Sequence, residues 1–184
     1  MGRIVAVPVA LRMRVRLRSL RLGHGSYASG MREVVVVCYG NICRSPMGEV
    51  LLQRALDERL GEGALLVTSA GIGADDGRPP STGTIKAMAA RGIDLRFARS
   101  TYLTAAHAAR AWRLYCMEQY QVDRVRSMLD GNPEKVMLLD GEEVPDPIGS
   151  GQQIYDEVAL QIERLLPAVV DDIARAITAE EAAV

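Results

Sequence analysis

Cys38 and Arg44, with five residues between them, and Asp146, set between two prolines, are the side chains with the reactivity and placement for covalent chemistry. The run Val34 to Val37 is β-branched and uninterrupted by polar residues, as a central parallel strand covered on both faces reads. The chain then turns at Gly40-Asn41, residue types that reach positive φ at low cost. Ser45-Pro46 reads as an N-cap followed by a first helical residue that wastes no donor. A helix starting there aims its free N–H groups and the positive end of its dipole into the loop, which makes an anion site. A cysteine in that place beside a guanidinium is favoured as thiolate. Arg44 can grip two oxygens of a tetrahedral dianion at once, which lysine cannot. The pattern therefore predicts a nucleophile directly beneath a bound phosphate. Taken singly, Cys38 reads as a strand-end thiol, Cys43 as core and Arg44 as a surface charge; the strand before and the Ser-Pro after argue against that reading of the group.

Attack of a thiolate on phosphorus needs a proton for the leaving oxygen or nitrogen. Val144-Pro145-Asp146-Pro147-Ile148-Gly149 places a carboxyl on a stiff loop after the fourth expected strand, on the same side of the sheet as Cys38. A positioned carboxyl of this kind contributes about 10²–10⁴-fold. Out of context, Pro-Asp-Pro is more often only a turn. No metal site or cofactor is expected, since His24 and His107 are the only histidines and neither sits in a ligand cluster.

The supporting strands and helices can be read from period and punctuation. Pro46 to Leu60 is helical, with Val50, Leu51, Ala55, Leu56 and Leu60 on one stripe and Gly61 and Gly63 closing it. Leu65 to Gly71 reads as a second strand running into a turn, and Gly73 to Gly83 as a polar loop. Helices are expected at Thr84 to Arg91, Leu103 to Ala111 and Glu118 to Leu129, with strands at Arg113 to Met117 and Lys135 to Leu139. Gln152 to Ile177 reads as a long terminal helix interrupted or bent near Pro167. The alternation calls for an α/β fold: a single doubly wound four-stranded parallel sheet flanked by helices, with the anion loop after the first strand at the switch point.

At 184 residues the length fits one domain with a substantial core, and 24% charged and 48% hydrophobic residues are ordinary for a globular protein. Residues 1 to 30 are unlike the rest: Arg3, Arg12, Arg14, Arg16, Arg18 and Arg21 are unopposed by any acid, so the net charge of −1 averages a basic segment with an acidic remainder. This segment reads as a disordered basic arm, a presequence, or sequence upstream of a true start at Met31. Residues 31 to 184 then form the domain. With only Tyr27 interleaved among its arginines, the arm lacks the stacking residues of a nucleic-acid module, and no membrane span is expected. Three cysteines give no disulfide framework, which favours a reducing cytoplasm.

Cys-Tyr-Gly-Asn-Ile-Cys-Arg-Ser-Pro-Met-Gly-Glu, residues 38 to 49, resembles the phosphate loop of the low molecular weight protein tyrosine phosphatases. The resemblance implies that Cys38 is the nucleophile and that Arg44 binds the phosphoryl oxygens with the backbone N–H groups of Tyr39, Gly40, Asn41, Ile42, Cys43 and Ser45. It further implies that Ser45 stabilises the thiolate, that Asp146 is the general acid, and that Ser69, in Ser-Ala-Gly, joins Asn41 in holding the loop. Ser69 reads equally well as a plain strand-end serine. In the family the cysteine corresponding to Cys43 can form a disulfide with the nucleophile. The implied substrate is a phosphoprotein. Ile148-Gly149-Ser150-Gly151 stands where many tyrosine phosphatases carry aromatic residues, which is similar to a bacterial branch containing protein arginine phosphatases. Ile42, where those enzymes carry threonine, favours phosphotyrosine. Tyr39 either stacks on a substrate ring or packs on its own domain. Thioredoxin-coupled arsenate reductase would need further relay cysteines, of which only Cys116 remains, and a non-catalytic phosphate sensor would be expected to have lost Cys38 or Asp146; neither is lost.

Overall fold

The computed structural model describes residues 31–182; the reading of residues 1 to 30 falls outside them. Four strands form one sheet: β1 (Glu33–Cys38), β2 (Leu66–Gly71), β3 (Arg113–Cys116) and β4 (Val136–Leu138). Their order is β2-β1-β3-β4, and every neighbouring pair is parallel. The chain leaves β1 for β2 on one side and returns across β1 to β3 on the other. The C-terminal end of β1 is thus the topological switch point, where such sheets open a crevice.

Both faces of the sheet are covered, as the unbroken valine run predicts. Val34 and Val36 lie under α1 (Arg44–Leu60) and α5 (Gln152–Ala182), with α2 (Thr82–Ala89) packed against the same layer. Val35 and Val37 face α3 (Ala105–Arg110) and α4 (Gln119–Arg126) through Ala108, Val122 and Val125. All four valines are fully buried. At about 1.5–3 kcal/mol for each buried side chain of this size, β1 is a rigid base for the loop at its end.

Several boundaries differ from the sequence reading. Helix α1 begins at Arg44, one residue before the expected cap, and its N-cap is Cys43 with no side-chain cap. Ser45 is therefore not the cap, and Pro46 is the third helical residue. Proline is tolerated there because the first-turn N–H groups have no intrahelical partner in any case. The second helix starts at Thr82, capped by Ser81, whose side chain accepts from Thr84 N. Leu103 is not helical: residues 101–103 run beside the end of β2, with Gly71 N donating to Thr101 O at 2.9 Å and Leu103 N to Gly71 O at 2.9 Å. Helix α4 is shorter than expected, and Glu118 is its N-cap.

Helix α5 is not interrupted at Pro167. Proline inside a helix costs about 3 kcal/mol, but Pro167 faces solvent while Leu165, Leu166, Val169 and Val170 beside it are buried. Four such side chains outweigh one proline. Near the far end of the helix, Glu180 accepts from Arg32 Nη2 at 2.9 Å and from Trp112 Nε1 at 2.9 Å. Arg32 and Arg113 both lie over the Trp112 ring, 5.5 and 5.0 Å from its centroid. This seam sits at the N-terminal edge of the sheet, opposite the crevice.

Candidate active site

Strand β1 ends at Cys38, and six residues later, at Arg44, the chain is helical. Asn41 makes the turn with φ of 52°, in the left-handed region that asparagine tolerates better than most side chains. Four bonds hold that conformation. Asn41 Nδ2 donates to Ser45 Oγ and to Ser69 Oγ, both at 2.8 Å; Asn41 Oδ1 accepts from Thr101 N at 2.8 Å; Asn41 N donates to Cys38 Sγ at 3.3 Å. Ser69 passes the chain on, donating to Glu49 Oε2 of α1 at 2.6 Å. The loop is thereby clamped between β2, α1 and the strand-like segment at Thr101. Gly71 makes the clamp possible: a Cβ there would collide with Tyr39 O and lie 2.8 Å from Asn41 N.

Cys38 Sγ lies 3.0 Å from Ser45 Oγ and is nearly fully buried. The sulfur thus meets the Ser45 hydroxyl from the first turn of α1 and the backbone N–H of Asn41 in the loop before it, surroundings suited to an anion. Cys43 is also buried. Its thiol donates to Ser81 Oγ at 3.4 Å and lies 3.9 Å from the Tyr155 hydroxyl. Burial outweighs those contacts and pushes the Cys43 thiol up, so it stays protonated. All three cysteines are free, and Cys116 is core.

Arg44 is 1% exposed and held on two sides. Nη1 donates to Glu118 Oε2 and, at 2.9 Å, to Val144 O, while Nη2 donates to Asp146 Oδ2 at 2.8 Å. Burial alone would lower its pKa; the bonds to Glu118 and the charges of Asp146 and Cys38 raise it instead, and the guanidinium stays charged. Nε is buried and has no protein partner, alone among the side-chain nitrogens and oxygens of the described residues. A buried N–H on a cation without an acceptor is costly, and an oxyanion beside Nε would satisfy it.

The structure therefore brings Cys38, Asn41, Arg44, Ser45, Ser69 and Asp146 together at the C-terminal end of the sheet. Asp146 also accepts from Ile148 N at 3.2 Å, which fixes its carboxylate on the stiff loop. Tyr39 is 54% exposed and its ring covers Gly73, which leaves no room for a side chain there. Gly40 and Ile42 complete the loop, with the Ile42 carbonyl accepting from Ser81 N at 2.8 Å. Glu118 was not apparent from sequence, where it reads as an ordinary helix start; the available signal was an acid at the C-terminal end of a central strand. No group of three histidine, cysteine or acidic residues suited to a metal occurs among the described residues.

A buried cysteine at a helix N-terminus, under an arginine fork and beside an aspartate, on a four-stranded parallel sheet, defines the class of cysteine-based phosphate-loop proteins. Within that class the model for low molecular weight phosphotyrosine protein phosphatase matches residues 33–180, and the chain belongs to this family. It is 33% identical over 144 residues to the probable low molecular weight protein-tyrosine-phosphatase EpsP of Ralstonia nicotianae, covering 76% of this chain and 94% of that protein. Among solved structures it resembles Vibrio vulnificus Wzb in complex with benzylphosphonate, with TM-score 0.69, 26% identity, and coverage of 78% of this chain and 99% of the other. It is similar as well to the arginine phosphatase YwlE in a mutant with a phosphorylated active-site serine, with TM-score 0.70, 26% identity, and coverage of 77% and 95%.

Proposed function

We propose that this protein is a cysteine-dependent phosphatase that hydrolyses phosphotyrosine in proteins through a phosphocysteine intermediate. The observation that carries this reading is the convergence of the Cys38 sulfur, the Arg44 fork with its unpartnered Nε, and the Asp146 carboxyl on one crevice. The phosphoryl oxygens bind Arg44 and the N–H groups of residues 39 to 45, and compete with Asp146 for Nη2. Released from the fork, the Asp146 carboxylate takes up a proton from solvent and turns to the bridging oxygen. The Cys38 sulfur attacks in line, a sulfur–phosphorus bond forms, the phosphorus–oxygen bond to tyrosine breaks, and the Asp146 proton goes to the phenolic oxygen. Water then attacks phosphorus, gives a proton to Asp146, and the thiolate leaves, stabilised by the Ser45 hydroxyl. Charge on the equatorial oxygens is met by donors already in place. The scheme uses no metal or cofactor.

The working unit is residues 31 to 184, with a phosphoprotein as partner and no role for nucleic acid. No described helix is long and apolar enough to cross a membrane. Three free cysteines suit a reducing cytoplasm. The second reading is a protein arginine phosphatase, favoured by the aliphatic Ile148 beside the acid and by the likeness to the YwlE structure.

Hydrolysis of a phosphotyrosine peptide and a phosphoarginine peptide, measured side by side, separates the two. Phosphotyrosine is expected to be preferred. Cys38→Ser should abolish turnover while still binding inorganic phosphate, and Asp146→Asn should lower kcat by about 10²–10⁴-fold. Preference for phosphoarginine would replace the reading with the second. Phosphate binding by the wild type without turnover of either peptide would make the loop a sensor.

A further inference from the structure

Three exposed apolar side chains belong to the elements that form the crevice. Tyr39 comes from the phosphate loop, Ile148 from the acid loop, and Tyr120 from the first turn of α4; they are 54%, 54% and 49% exposed. Tyr120 carries no role in the phosphatase scheme. Its hydroxyl accepts from Gln121 Nε2 at 3.2 Å, and the same amide donates to Glu118 Oε2 at 2.8 Å, the oxygen that holds Arg44 Nη1. Gln121 is itself fully buried, with Oε1 accepting from Met117 N at 3.1 Å. The phenol is therefore tethered to the guanidinium through one buried amide and one carboxylate, while its ring stays open to solvent. The charges of Glu118, Arg44 and Asp146 all act on the hydroxyl, as its closeness to the crevice requires.

We infer that Tyr120 is a specificity-determining residue, supplying a flat wall of the crevice against which the aromatic ring of an aryl phosphate packs. The inference rests on the phosphatase reading and narrows it to the choice between aryl and non-aryl phosphoryl groups. The acid loop offers only the branched aliphatic Ile148, which has no flat face for a ring. Tyr39 covers Gly73, so part of its ring already has an intramolecular partner. Tyr120 is tethered at its hydroxyl end and half exposed, which limits the ordering a substrate ring must impose. A ring pair of this kind contributes enough to change affinity by about two- to tenfold, and it acts on substrate binding rather than on the chemistry at phosphorus.

The experiment compares wild type, Tyr120→Ala and Tyr120→Phe on a phosphotyrosine peptide, a phosphoarginine peptide and inorganic phosphate as inhibitor. Tyr120→Ala is expected to raise KM for the phosphotyrosine peptide about two- to tenfold, with kcat, phosphoarginine turnover and phosphate inhibition little changed. Tyr120→Phe should behave as wild type, since the ring and not the hydroxyl makes the contact. Equal losses on both peptides would overturn the inference, because the residue would then act through Glu118 and Arg44. An unchanged KM in Tyr120→Ala would overturn it while leaving the phosphatase reading intact. Wild-type preference for phosphoarginine would remove both together.

Discussion

Arg44 binds its protein partners through Nη1 and Nη2 and leaves Nε bare, so the side of the fork that meets substrate is decided by what holds the other side. Glu118 is that holder. Two effects oppose each other when it is removed: an anion beside a dianion site disappears, which favours phosphate, and the fork loses its anchor, which disfavours the transition state. A hydrogen bond to a charged group contributes about 1.5–3 kcal/mol, so Glu118→Ala should lower kcat by about ten- to a hundredfold. Glu118→Gln keeps an acceptor without the charge and should recover most of kcat while binding phosphate no worse. Steady-state kinetics with phosphate as inhibitor checks both; equal defects in the two variants would sink the anchoring role. At this scale the sequence was legible where a short local pattern does the chemistry, as in Cys38 to Ser45 and around Asp146. Glu118 and Tyr120 lie more than seventy residues from the loop, and the path that links them to Arg44, direct for Glu118 and through Gln121 for Tyr120, depends on strand order, which no local pattern encodes.

The elements place the loop by close approach as much as by hydrogen bonding. Strand β2 ends against the loop backbone because Gly71 has no side chain. Gly71→Ala would push on Tyr39 and Asn41, backbone atoms that cannot rotate away, at a cost of about 1–3 kcal/mol for overpacking. The expected outcome is a lower Tm and a lower kcat/KM in the same variant, by thermal denaturation and kinetics; a fully active Gly71→Ala would show that the clamp tolerates displacement. Strand and helix types were readable from the valine run and the 3.6-residue stripes. Boundaries were less so, and for physical reasons. The sulfur and hydroxyl of the loop took Ser45 away from capping, the edge of β2 drew residues 101–103 into extended structure, and burial against α1 kept α5 unbroken at Pro167.

Across the whole molecule the two ends of the sheet have separate duties, chemistry at one and cohesion at the other. Glu33, at the start of β1, accepts from Thr68 Oγ1 at 2.9 Å and meets His107 Nε2 at 3.1 Å, with Arg110 nearby, joining β1, β2 and α3. Burial would raise the Glu33 pKa, but the bonds from His107 and Thr68 outweigh it and hold the carboxyl below its ordinary 4.5. A carboxyl with a depressed pKa adds stability that is complete above the ordinary value and is lost as pH falls through the lowered one. Glu33→Gln should therefore lower Tm near neutrality and flatten its decline in acid, below about pH 4.5. Parallel Tm–pH curves for the two proteins would contradict this. Trp112, the one tryptophan in the chain, sits in the arginine-lined seam that joins Arg32 to Glu180, at the end away from the crevice. Its fluorescence is thus a built-in optical gauge of that seam: emission should report when the last helix peels from the sheet, and stay dark to whatever fills the mouth.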